Sequence, residues 1–159
     1  MPRTVRIAPS GYLYHVLTRG NNRQDVFEDE EDFRKYMDLL LRYKEKYRFK
    51  LYHYVLMTNH VHLVIEPGEA GGSLSEIMKG INLAYARHYK RRYGHIGHFW
   101  QDRYKSIIIS NANNSGDTFP ISYLFRWGHQ RAIITFVGLT REGSLYPMLL
   151  MISGALLIM

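Results

Sequence analysis

Phe49-Lys-Leu-Tyr-His-Tyr-Val-Leu-Met57, then Thr58-Asn59, then His60-Val-His-Leu-Val-Ile65 is the stretch on which the fold turns. Both flanking runs are rich in aromatic and β-branched side chains, which fit a pleated, half-buried surface, and only two polar residues separate them. The reading is a pair of antiparallel strands joined tightly at Thr58-Asn59. Side chains two apart on a strand share a face, so His60 and His62 point one way and Val61 the other.

Working outward, Tyr12-Leu-Tyr-His-Val-Leu-Thr18 reads as an earlier strand that leaves into the Gly- and Asn-rich turn Arg19-Gly-Asn-Asn-Arg23. The acidic run Asp29-Glu-Glu-Asp32 suits a helix N-terminus, and Phe33, Tyr36, Met37, Leu40, Leu41 and Tyr43 follow at helical spacing. Downstream, Glu66-Pro-Gly-Glu-Ala-Gly-Gly72 is a loop by composition. Ser73 with Glu76 forms a capping box for a second helix, which carries Ile77, Met78, Ile81, Leu83, Ala84, Tyr85 and Tyr89 and ends in Lys90-Arg-Arg92. The segment Phe99 to Ile109 reads as a final strand. Strand, helix, two strands, helix, strand is the α+β, ferredoxin-like split βαβ pattern, an antiparallel sheet backed by two helices.

The 159 residues, 46% of them apolar, suffice for one domain with a real core. Lys and Arg number 21 against 14 Asp and Glu, a net charge of +7 that favours a polyanionic partner. With no cysteine, disulfides, thiolate zinc sites and cysteine nucleophiles are excluded, and a reducing cytoplasm is the expected compartment. No secretory signal is read at the N-terminus, and the longest apolar stretch, Met148 to Met159, falls short of the ~20 residues of a spanning helix. No membrane segment is expected. That tail is expected to pack on the domain, pair with another copy or promote aggregation.

Two imidazoles on one strand face can hold a divalent cation if a third ligand arrives from elsewhere, and nitrogen ligands suit manganese, zinc, nickel or copper better than magnesium. In phosphodiester chemistry such a cation polarises a phosphoryl oxygen. Glu66 faces the same side but lies ~13 Å further along the strand. His15, His53, His88, His95 and His98 lack a comparable pairing and are expected to be structural, although His53 on the neighbouring strand is placed to extend the site. Basic and aromatic side chains interleave at Tyr85, Arg87, Tyr89, Lys90, Arg91, Arg92 and Tyr93, a composition that stacks bases and neutralises phosphates. Trp100 is expected to be core packing.

Three motifs in order, Thr18-Arg-Gly-Asn-Asn-Arg23, Tyr54-Val-Leu-Met-Thr-Asn-His-Val-His-Leu-Val64 and Gly97-His-Phe-Trp-Gln-Asp-Arg-Tyr-Lys105, resemble the REP-associated tyrosine transposases, relatives of the single-tyrosine IS200-like transposases. The resemblance covers about residues 10 to 110. It implies an HUH endonuclease core at 1–110, with His60, Val61 and His62 as the "HUH" element and Mg2+ or Mn2+ as cofactor. It implies metal-dependent cleavage and strand transfer of single-stranded DNA at hairpin or palindromic sequences through a 5′ phosphotyrosine, by a monomer or homodimer. Arg19, Asn21, Asn22, Arg23, Lys90, Arg91, Arg92, Arg103 and Lys105 are the candidate DNA contacts.

The family's tyrosine is expected in an Arg-Tyr-Ile setting, with Asn-Pro-Val-Arg-Ala a few residues on. Here the segment 111–159 diverges into a polar linker, one expected helix and the apolar tail. The nearest match, Tyr123-Leu-Phe-Arg-Trp-Gly-His-Gln-Arg-Ala132, has Trp127 at the tyrosine position. Tyr123 is the nearby replacement nucleophile, and Gln130 or His129 a third metal ligand. A frameshift or rearrangement near codon 111 is the expected origin of the break. The competing expectation is a catalytically dead nucleic-acid-binding domain of the same fold.

Overall fold

In the structure, a computed structural model, residues 8–111, 132–139 and 145–152 are described. The elements are β1 (Tyr12–Arg19), α1 (Glu30–Tyr47), β2 (Lys50–Met57), β3 (His60–Glu66), α2 (Leu74–Tyr93), β4 (Lys105–Asn111), β5 (Ala132–Leu139) and β6 (Leu145–Ile152). Their sheet order is β4-β1-β3-β2-β5-β6 with every pairing antiparallel. The first four strands and two helices form the expected α+β, ferredoxin-like core.

The β2–β3 joint is as tight as its two polar residues allow, since Met57 pairs directly with His60. Alternation then sorts the sheet into two faces. Tyr14, Val16, Leu56, Val61, Leu63 and Ile65 pack with Tyr36, Leu40, Ile77, Met78, Ile81 and Tyr85 of the helices. The opposite face carries His15, Leu17 and Arg19 of β1 and His60, His62 and Val64 of β3.

Each helix begins where its sequence says. The Asp29 carboxylate accepts from the Asp32 N–H at 3.1 Å, and Ser73 and Glu76 exchange both bonds of a capping box. Gly94 ends α2 at φ 65°, a left-handed conformation that glycine adopts without a Cβ clash. The aromatic girdle between helices is tied to the chain by the Tyr85 hydroxyl, which donates to the Val26 carbonyl at 2.6 Å.

Two expectations are corrected. The last core strand starts at Lys105, because Phe99–Tyr104 is a bend fastened to the end of β1: Gln101 N–H donates to the Arg19 carbonyl at 2.9 Å. Leu41 and Leu83, read as apolar-face residues, are 48% and 46% exposed. In the C-terminal segment Leu145–Ile152, which includes the start of the apolar tail, pairs with β5. The helix expected around Tyr123 to Ala132 falls largely outside the described residues.

Candidate functional site

The three sequence motifs, separated by tens of residues, meet at one end of the sheet. Gly20 N–H donates to the Asn59 carbonyl at 2.9 Å, and Asn21 N–H to the Phe99 carbonyl at 2.8 Å. The Gln24 amide also reaches the Phe99 carbonyl, and Gly20 bridges to Trp100. A Cβ at Gly20 would lie 2.4 Å from the Gln24 carbonyl oxygen and 2.8 Å from Val26, so the close approach requires glycine. Asn22 and Arg23 both take positive φ, 51° and 60°, completing a turn whose side chains are exposed.

His60 and His62 lie side by side on β3 with ring centroids 5.0 Å apart and planes at 75°. His60 is 6% exposed. Its Nδ1 is 2.5 Å from the Asn59 Oδ1, while the Asn59 Nδ2 donates to the Arg23 carbonyl at 3.3 Å. That second bond orients the amide, so Oδ1 is the acceptor facing His60 and the imidazole carries its proton on Nδ1. Coordination would then run through Nε2.

His62 Nδ1 is engaged as well, 2.8 Å from His15 Nε2. Burial, then the neighbouring His60, His15 and Arg19, lower the His62 pKa to about 3, so the ring is neutral near pH 7. Burial also lowers the pKa of His15. Two neighbouring imidazoles with their Nδ1 atoms engaged by hydrogen-bond partners leave Nε2 for coordination and fit a divalent cation. His15, expected from sequence to be structural and without a partner, thus contacts His62. No single-strand spacing could reveal it, because the contact crosses from β1 to β3.

Among the described residues no three His, Asp or Glu side chains are grouped to hold a metal, so a third ligand has to come from another residue type or another part of the chain. Tyr123 and Gln130 lie outside the described residues, as does His129. Glu66 is occupied at the far end of β3, accepting from Tyr52 at 2.5 Å and Lys50 at 3.1 Å. Burial and the Glu66 carboxylate together push the Tyr52 hydroxyl pKa up.

Of the candidate DNA contacts, Arg19 stands opposite His60 in the β1–β3 register, with its Nε buried and unpartnered. Asn21, Lys90 and Arg103 line a groove of about 740 Å³ between α2 and the Phe99–Tyr104 bend, together with Lys79 and Asn82, which the sequence reading missed. Lys79 sits on α2 away from the basic run that drew attention there. Arg91 and Lys105 are exposed. Arg92 behaves differently: its guanidinium meets Asp29 at 2.6 Å, Asp32 at 2.8 Å and Glu31 at 3.0 Å, joining the start of α1 to the end of α2. Trp100 is an anchor, donating from Nε1 to the Asn82 carbonyl at 2.9 Å while packing on the core.

A ferredoxin-like antiparallel sheet with two neighbouring histidines on the face away from its helices, and a groove lined by Lys79, Lys90 and Arg103 between α2 and the Phe99–Tyr104 bend, defines an α+β protein. The family model described as "Transposase IS200 like" matches residues 9–117, and the chain belongs to that transposase family. Among solved structures it resembles a REP-associated tyrosine transposase bound to a REP hairpin, at 16% identity and a TM-score of 0.56, covering 72% of this chain and 66% of that one. The chain thus spans about two thirds of that transposase's length. A Deinococcus radiodurans protein described as a transposase aligns at 18% identity and a TM-score of 0.52, covering 72% of this chain and 91% of that one. No curated protein matches the sequence. No helix among the described residues is long and apolar enough to cross a membrane.

Proposed function

We propose that the protein cleaves and rejoins single-stranded DNA beside a hairpin, with His60 and His62 holding a divalent cation, Mg2+ or Mn2+, and Tyr123 as nucleophile. The observation that carries this reading is the convergence of Arg19–Arg23, Asn59–His62 and Phe99–Arg103 at one end of the sheet. A hairpin-bound relative of the same fold supports the choice of DNA partner.

Lys79, Lys90 and Arg103 share one groove and attract the phosphates electrostatically, while Arg19 stands opposite His60 in the β1–β3 register. Arg19 there opposes phosphate charge. When bound, the cation supplies Lewis-acid polarisation of the scissile phosphate. The tyrosine hydroxyl loses its proton, its oxygen bonds to phosphorus, the bond from phosphorus to the 3′ oxygen breaks, and that oxygen takes up a proton. The phosphodiester energy is kept in the 5′ phosphotyrosine, so a later 3′ hydroxyl rejoins the strand without ATP.

A second reading, a binding domain that has lost cleavage, is favoured by Trp127 at the family's tyrosine position and by the end of the family match at residue 117. Incubating the protein with a single-stranded hairpin oligonucleotide and Mn2+, followed by denaturing electrophoresis, separates the two. An adduct absent from Tyr123→Phe, and from the double change His60→Ala and His62→Ala, supports cleavage. Hairpin binding with no adduct supports the binding domain. In either case the double histidine variant keeps most of its DNA affinity, because phosphate contacts dominate that affinity.

A further inference from the structure

Both histidines of the candidate metal pair have Nδ1 engaged, but by different partners. Asn59 fixes the His60 ring through an oxygen that can only accept. For His62 the partner is another imidazole, which can donate or accept.

We propose that His15 is a positioning residue whose Nε2 accepts the Nδ1–H of His62, fixing that ring so that Nε2 of His62 faces the cation. The proposal rests on the reading that His60 and His62 hold a divalent cation. His15 pairs with Val64 across β1–β3, which sets it diagonally beside His62 on the same sheet face. The facing nitrogens are 2.8 Å apart, the ring planes differ by 9° and the centroids lie 5.1 Å apart. That separation is what a 2.8 Å bond along the line between ring centres produces, so the lone pair and the N–H lie in nearly one plane. A face-to-face stack would leave the nitrogens unable to bond.

A neutral imidazole has one N–H and one lone pair, and the partner of one nitrogen decides the state of the other. A cation on His62 Nε2 needs the lone pair there and therefore the proton on Nδ1. His15 then carries its own proton on Nδ1 and offers Nε2 as the acceptor. The two ligands end in the same tautomer by two routes, one through the β2–β3 turn and one across the β1–β3 pair.

The test titrates the full chain with Mn2+ alone, following free Mn2+ by electron paramagnetic resonance, and reads the imidazole nitrogens of the metal-free protein by NMR. Partners of metal-bound histidines are typically worth 10- to 100-fold in affinity, so His15→Phe is expected to weaken Mn2+ binding by about that factor. His15→Gln keeps an acceptor oxygen and is expected to stay within a few-fold of the wild type. A role in packing alone reverses that order, because Phe preserves the ring and Gln does not. In the wild type the His62 proton is expected on Nδ1, a readout that needs neither metal nor a stable variant. Finding it on Nε2, or finding equal Mn2+ affinity in His15→Phe, overturns the assignment of His15 alone. A wild-type protein that binds no Mn2+ overturns the cation reading on which it rests.

Discussion

Asn59 shows how much one side chain can carry in this site. It links the Arg23 carbonyl to the His60 ring, so the turn after β1 sets the orientation of that ring on β3. Asn59→Ala removes the acceptor and is expected to weaken Mn2+ binding about 10- to 100-fold, measured by the same titration, with little change in thermal stability. Gly20→Ala acts through space alone: the added methyl meets the Gln24 carbonyl and Val26, and a cost of roughly 1–3 kcal/mol is expected in urea unfolding. At this scale the sequence revealed His60 and His62 because period-two alternation is local. His15 was hidden because a single histidine on a strand has no local partner, and only the register brings it to His62.

Among elements, the joint between α1 and α2 is the clearest device. Asp32 is fully buried and accepts from Arg92, Tyr93, the Glu28 N–H and His88. Asp32→Ala strands these donors, and a loss of roughly 3 kcal/mol is expected by chemical denaturation. The bond to Arg92 holds the Asp29 carboxyl below its ordinary pKa of 3.8. A carboxyl with a depressed folded pKa contributes stability above its unfolded pKa and loses it as pH falls through the folded one. Arg92→Ala is therefore expected to be less stable than the wild type at pH 5 to 7, with the gap closing below about pH 3.8. Unfolding curves at several pH values check this; a gap that persists at pH 2 counts against it. The basic run Lys90-Arg-Arg92 looked uniform in sequence. Its members differ because one helix end faces another and Arg92 alone reaches the carboxylates.

Across the whole molecule, binding to a polyanion depends on which cations remain available to it. Replacing Lys79 or Arg103 by Ala is expected to lower the slope of log affinity against log salt by up to about 1 each, with hairpin binding measured between 50 and 200 mM salt. An unchanged slope in both variants removes the groove from the DNA path. The family match ends at residue 117 and the family's tyrosine motif is missing from this chain, which makes a separate prediction about the coding DNA: one of the other two reading frames downstream of codon 111 encodes Arg-Tyr-Ile and then Asn-Pro-Val-Arg-Ala. Sequencing and translating that region decides it, and the absence of those motifs from both frames overturns the frame-change account.

The sequence by itself determined the element order from β1 to β4, the tight β2–β3 joint, both helix starts and the shared face of His60 and His62, because alternation, capping and turn chemistry act within a few residues; it did not foretell β5 and β6. The tertiary structure alone decided that the three motifs meet at one end of the sheet, that His15 contacts His62, that Lys79 and Asn82 share a groove with Asn21 and Arg103, and that Arg92 is tied to carboxylates. Each of those depends on a contact between segments distant along the chain, which strand register and helix packing fix and local pattern does not encode.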